Sequence, residues 1–310
     1  LLSIMSLQII KAQNTSDVGR IVLNSVVIDA ENTIPTEAKS FLETKLARIC
    51  TDNGVGGFAI NPQFVLATKI NVLSKDVNAG PPQMIAINLE ITFFIGDAIS
   101  NKLFRNEIIS TKGVGVNVNK AMIDAIKNVN TKSQLIVSLV EKAKQNIAEY
   151  YNSQCDLIIS KSKTLSEKQE FDAAINALMQ VPDVCKSCYD KCMNTVQPIY
   201  KSKINRFATI QLNKAKICWN ANPNSKGATE VAALLENIEP LSTSFKEAYN
   251  LTETIRKKLE TDEKREWDFK MKQYNDGLKL EQQIIESSKA VALAYAKNQP
   301  KTIDYNHIYW

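Results

Sequence analysis

The sequence predicts an α+β domain followed by an all-α domain, and three observations carry that reading. Ile85, Ile87, Leu89, Ile91, Phe93 and Ile95 alternate with Ala86, Asn88, Glu90, Thr92 and Phe94, the period of a strand covered on one face. From Ser133 onward the apolar residues recur instead at helical spacing. The chain has 310 residues, enough for a core on each side of a boundary.

The elements follow in order. Residues 20–29 (RIVLNSVVID) form a β-branched run and read as a strand. Pro35 with Glu37 behind it signals a helix start, and Ala38, Phe41, Leu42, Leu46 and Ile49 share one face. Asn53 and Gly54 suit the left-handed cap that ends it. Three strands are expected next, over residues 63–75, around the alternating run 85–95, and over 103–116. Gly80-Pro81-Pro82 and the stretch 96–101 supply the turns. A helix from about Asn117 presents Val118, Ala121, Met122, Ala125, Ile126 and Val129. The order β-α-β-β-β-α implies a mostly antiparallel sheet with helices on one face.

In the helical half, Leu135, Ile136, Val140, Ala143, Ile147 and Tyr151 form one stripe. Ser166-Glu167-Lys168-Gln169 reads as a capping box ahead of Phe171, Ala174, Ile175, Leu178 and Met179. Val181-Pro182-Asp183 stops that helix, and residues 245–298 read as one or two long helices. A weak repeat relates Ala174-Ile175, Leu178, Pro182 and Tyr189 to Val231-Ala232, Leu235, Pro240 and Tyr249, which suggests stacked antiparallel hairpins. The run 171–182 (FDAAINALMQVP) looks like the second helix of a tetratricopeptide unit, so the half is TPR-like without meeting the full repeat.

The first stretch, residues 1–12, is apolar with Lys11 and Ala12 at its end and polar residues after it. It reads as the remnant of a secretory signal, with the mature chain starting near Gln13. The expected domains are therefore 13–130 and 131–310. Residues 13–130 hold 11 Lys/Arg and 11 Asp/Glu, and residues 131–310 hold 26 and 22. The charges of the second part are interleaved, as in the run 256–266, which marks a solvated helix face. Nucleic acid would call for a stripe of one sign, so none is expected as partner. No run of 18 apolar residues exists to span a membrane.

Phe41-Leu42 and Leu46 in the first helix, Phe64-Val65-Leu66 in a strand and Gly113-Val114-Gly115 running into a helix resemble the small envelope domain of CsgG-type secretion proteins and the N-terminal domain of TolB. The resemblance covers residues 1–130. CsgG carries an acylated N-terminal Cys and pore-forming hairpins. Here no Cys stands near the cleavage site, and residues 81–116 are too short and one-sided to add a pore to the sheet, so no channel is expected. Followed by a TPR-like half, the whole is similar to an uncharacterised secreted envelope family of Bacteroidota type.

The raw material for catalysis is thin. His307 is the one His, which leaves Ser-His-Asp, Cys-His and His-rich zinc sites without members. No catalytic residue, cofactor or metal is assigned. Gly113-Val114-Gly115 lacks the remaining residues of either phosphate-binding fingerprint and reads as a tight turn. The sharpest feature is sulfur. Cys185, Cys188 and Cys192 fall at i, i+3 and i+7 on one helix face, with Cys155, Cys50 and Cys218 apart. Three readings stay open: core positions or a structural disulfide drawn from Cys155, Cys185, Cys188 and Cys192; buried free thiols alone; and redox or metal work. Trp219, Trp267 and Trp310, with Tyr150, Tyr151 and Tyr305, read as packing residues.

The expected function is that of a non-catalytic cell-envelope protein, exported, periplasmic or associated with the outer membrane from its periphery. It would act on a protein partner or on a second copy of itself. The alternatives are an envelope glycan hydrolase built on two carboxylates and a small-molecule binder with a pocket at the domain junction.

Overall fold

The structure is a computed structural model that describes residues 21–29, 32–56, 63–259, 264–265, 267–268, 271–272 and 290–298. The apolar stretch 1–12, Tyr305, His307 and Trp310 lie outside the described residues. The chain divides into two units. One comprises Leu1–Gly96 with Arg105–Glu141, the other Asp97–Phe104 with Lys142–Trp310. The architecture is α+β in the first part and all-α in the second.

The first part holds β1 (Leu23–Val27), α1 (Thr36–Asp52), β2 (Phe64–Asn78), β3 (Met84–Asp97), β4 (Lys102–Gly115) and α2 (Val118–Lys127). The strands stand in sequence order. β1 lies parallel to β2, Leu23 opposite Phe64 and Val27 opposite Thr68. Parallel neighbours need a crossover, and α1 supplies it. The short links 79–83 and 98–101 leave β2, β3 and β4 antiparallel.

The alternation of β3 works as its period requires. Ile87, Leu89, Ile91 and Phe93 are buried, while Asn88 and Glu90 turn to the other side. There Asn88 Nδ2 donates to Ser74 Oγ (2.5 Å) and Asn71 Nδ2 to Glu90 Oε1 (3.4 Å) across the β2–β3 pair. α1 packs against β1 and α2 and buries Ala38, Leu42, Leu46, Ile49 and Cys50. Each large side chain among these contributes about 1.5–3 kcal/mol by leaving water. Phe41, expected in that core, is only half-buried: it sits beside the stripe, with Lys127 Nζ 5.7 Å from its ring centroid. The end of α1 is a Schellman turn. Gly54 has φ +69°, its N–H donates to Thr51 O, and the N–H of Val55 donates to Cys50 O.

β4 and α2 approach more closely than ordinary side chains allow. A Cβ on Gly113 would stand 2.2 Å from both the Ala121 carbonyl oxygen and the Ala125 nitrogen. One on Gly115 would stand 2.5 Å from the Ala121 nitrogen. The contact is pinned by polar bonds: Thr111 Oγ1 to Ala125 O (2.8 Å), Val114 N–H to Asp124 Oδ2 (3.0 Å) and Asn128 Nδ2 to Lys112 O (2.8 Å). Asn117 caps α2 by accepting from the N–H of Lys120 (2.9 Å).

α3 (Gln134–Ser153) follows, then α4 (Cys155–Glu167), α5 (Phe171–Met179), α6 (Lys186–Ala221), α7 (Ser225–Leu235) and α8 (Phe245–Lys258). On α3 the buried row is Ile136, Leu139, Val140, Ala143, Ile147 and Tyr151. Leu135, placed in that row from the sequence, is 49% exposed; Leu139 takes its role because it stands three residues from Ile136 and four from Ala143. The Tyr151 hydroxyl bonds to the buried Asp97 carboxylate, whose other oxygen accepts from the N–H groups of Ile99 and Ser100 in the β3–β4 turn.

The capping box at Ser166–Gln169 is not a helix start. Those residues close α4: the N–H of Gln169 donates to Ser166 O and that of Glu170 to Leu165 O, with Gln169 at φ +66°. This is a second Schellman turn, with Gln where Gly is usual. The motif was misread because Ser and Gln at that spacing look the same from either end. α5 begins afterwards at Phe171 and buries Ala174, Ile175 and Leu178, with Phe171 and Met179 only half-buried. α8 stops at Lys258, where Leu259 takes extended backbone, and the long helices expected beyond it lie largely outside the described residues.

Two substitutions test these local readings. Gly113→Ala forces β4 off α2 and is expected to cost about 1–3 kcal/mol or more in a urea titration. Gln169→Gly removes an L-residue from left-handed backbone and is expected to hold or raise stability, by up to about 1 kcal/mol. A clear loss in that variant would mean the α4–α5 turn is held by the Gln side chain instead.

Candidate functional site

Four cysteines gather where α4 and α6 begin. Cys155 is the first residue of α4. Pro182 turns the chain after α5, Cys185 N–H donates to Pro182 O (3.0 Å), and Cys185 becomes the N-cap residue of α6. Its carbonyl accepts the first helical bond from Tyr189 N–H (2.8 Å). Cys188 then lies in the first turn of α6 and Cys192 one turn further, on the face turned inward.

The Sγ atoms of Cys155 and Cys188 are 2.14 Å apart with their Cα atoms at 5.6 Å, a disulfide between two helix heads. Cys192 Sγ lies 4.0 Å from Cys188 Sγ, and the three sulfurs fall within 4.8 Å of one another, all buried. Cys185 is turned elsewhere, its thiol 3.8 Å from the Ala148 carbonyl oxygen. The sequence-adjacent pair Cys185 and Cys188 is thus not the bonded one. Sixty residues on, Phe245, Ala248 and Thr252 hold the corresponding helix positions and are buried as well.

The free thiols are all held above the ordinary range of a thiol. Burial pushes Cys192 up to about 11, with Lys191 pulling slightly the other way. Burial and then the Asp183 charge push Cys185 up to about 11. Burial pushes Cys50, in α1, up to about 12, against a small lowering by a backbone hydrogen bond. Cys218 near the end of α6 is raised by burial and by Glu230, whose carboxylate lies 3.2 Å from its sulfur. A thiol is nucleophilic only as thiolate, so none of these is an activated nucleophile. The ion pairs around the cluster, Lys186–Asp190 at 2.7 Å and Lys191–Asp156 at 3.9 Å, are exposed and contribute little.

Other candidates resolve into packing. Trp219 and Trp267 are buried in a core with Leu212, Leu235 and Phe245. The space beside Gly113 and Gly115, where a phosphate loop would hold its ligand, is filled by the backbone of α2. Two features had escaped the sequence reading. Lys203 Nζ bonds to Asp172 Oδ1 (2.7 Å) and to the Tyr295 hydroxyl, which itself donates to Asp172 (2.5 Å). No local motif announces that triad, whose members come from three separate segments. Phe207, Ile210 and Ile217 on α6 are 42%, 41% and 70% exposed. Their signal was legible in the sequence as apolar residues three and seven apart.

No family model matches the chain, and no curated protein matches it. Among solved structures, the chain is similar to the 2.35 Å crystal structure of a minor lipoprotein from Acinetobacter baumannii. The identity is 20%, over 40% of this chain and 91% of that one, with a TM-score of 0.21. A likeness at that score carries neither fold nor function across. Among the described residues no helix is long and apolar enough to cross a membrane.

Iodoacetamide at pH 8 should modify Cys218 first and spare Cys50, Cys185 and Cys192. In denaturant without reductant, mass spectrometry should count four adducts, one per free cysteine. Six would mean that Cys155 and Cys188 are not joined. The bridge closes a loop with a sequence separation of 33, so the double variant Cys155→Ala/Cys188→Ala is expected to lose about 2–4 kcal/mol.

Proposed function

We propose that this chain is an exported, non-catalytic protein of the cell envelope whose TPR-like helical part docks a protein partner. The observation that carries the reading is the apolar ridge of Phe207, Ile210 and Ile217 on the outward side of α6. Side chains three and seven residues apart share a helix face. Three apolar side chains on one exposed face, with Arg206 and Lys214 beside them, support a contact surface. Export is supported by the apolar stretch at residues 1–12 and by the disulfide, because such bonds persist in oxidising compartments. The resemblance of the first part to CsgG-type and TolB N-terminal domains fits the same setting.

The test is a photo-crosslinking residue at position 217 in the full chain, produced in an exporting bacterial host. A discrete adduct is expected, abolished by Phe207→Glu with Ile210→Glu. An adduct to a second copy would assign self-association. Adducts no stronger than those from exposed position 163 on α4 would remove the ridge, and the reading with it.

A further inference from the structure

The sulfur cluster is better furnished than a structural disulfide requires. A bridge needs two cysteines, and here a third, Cys192, lies 4.0 Å from the bonded Cys188 sulfur. The three sulfurs come from two helices and fall within 4.8 Å of one another. We propose that the reduced protein binds one Cu(I) ion through the thiolates of Cys155, Cys188 and Cys192, so that disulfide and metal site are alternative states of the same side chains.

The donor set selects the ion. It is all sulfur, with neither imidazole nor carboxylate among the described residues of the cluster. Hard cations want oxygen, whereas thiolates suit Cu(I) and zinc. A structural zinc site takes four ligands. Cys185, at the head of the same helix, is turned toward the Ala148 carbonyl instead. Three sulfurs without a fourth fit a trigonal d10 ion such as Cu(I).

The distances agree. With metal–sulfur bonds of about 2.3 Å, a trigonal site spaces its sulfurs roughly 4 Å apart. Cys188 and Cys192 already stand at 4.0 Å. Cys155 and Cys188 must open from bonding distance to the same spacing, which side-chain rotation provides with their Cα atoms at 5.6 Å. Three thiolates around one Cu(I) leave net negative charge in a buried place. Cys188 lies in the first turn of α6, where the helix dipole favours that charge.

The chemistry balances with a phosphine as reductant. It cleaves the disulfide together with one water, keeps the oxygen as phosphine oxide and leaves two thiols. Cu(I) then binds three thiols with release of three protons and no change of oxidation state.

The experiment uses the full chain, reduced by a phosphine that is then removed without air, and titrated against Cu(I) held by bicinchoninate. One Cu(I) per chain should be withdrawn, with a sulfur-to-copper charge-transfer band in the ultraviolet. The oxidised chain should withdraw none. Cys192→Ser should weaken binding at least about tenfold while its oxidised form still carries the Cys155–Cys188 bond and melts close to the wild type. Cys218→Ser should bind like the wild type. Circular dichroism follows the fold throughout. Equal competition by the wild type and Cys192→Ser would overturn the proposal. So would a reduced chain that takes no Cu(I), or one that is unfolded and stays unfolded with it.

Discussion

One continuous apolar stripe on α6 organises the helical part. Cys188, Cys192, Val196, Tyr200, Ile204, Ala208, Leu212, Ala215 and Trp219 are all buried and follow one another at three or four residues. At 1.5 Å per residue the 36-residue helix runs about 54 Å, several times the width of one neighbouring helix. Its stripe therefore serves successive partners: α4 and α5 pack against it, and so do α7 and α8. Pro198 interrupts the backbone ladder at a single donor and stands on the exposed side, where its cost does not fall on the packed face. The shorter helices bury only a few residues each and depend on α6 for a surface to lie on.

The disulfide adds to that stripe where it is weakest. At the head of α6 the inward residues are small sulfur side chains, which bury little area apiece. Sixty residues later the same helix position holds Phe245. A covalent bond at the small-residue end limits the freedom of the unfolded chain and compensates for the thinner packing. The raised pKa of Cys192 and Cys185 follows from the same burial.

Legibility differed with the range of the interaction. Where one element's own period decides, the sequence was enough: β3 puts Ile87, Leu89, Ile91 and Phe93 inward, and α1 ends just before Gly54, which takes left-handed backbone. Phe41 and Leu135 were misplaced because a stripe on a helix is wider than the surface a neighbour covers, and its edge is settled by what packs there. Ser166–Gln169 failed for a related reason, since helix ends share residue types and only the hydrogen bonds tell start from stop. The cysteine face was readable as a face, but not the choice of Cys155 over Cys185 as partner of Cys188. That depends on where α4 begins relative to α6, a relation between segments 33 residues apart.

The second half of α6 carries more apolar surface than its packing uses. Ala208, Leu212, Ala215 and Trp219 face the core formed with α7 and α8. Phe207, Ile210 and Ile217 fall roughly 150° around the helix from them, at 100° per residue. A helix apolar on one side is settled by one neighbour, whereas a helix apolar on two opposite sides is a middle layer that needs a second. The folded chain covers the first side and leaves Ile217 70% exposed on the other. Leaving such groups in water costs solubility, and charged residues would have served a purely solvated face better, as they do in the interleaved run that begins at Arg256. On the proposed reading the outward ridge is a surface kept for contact, and the rigid helix beneath it would hold its side chains in register for a partner.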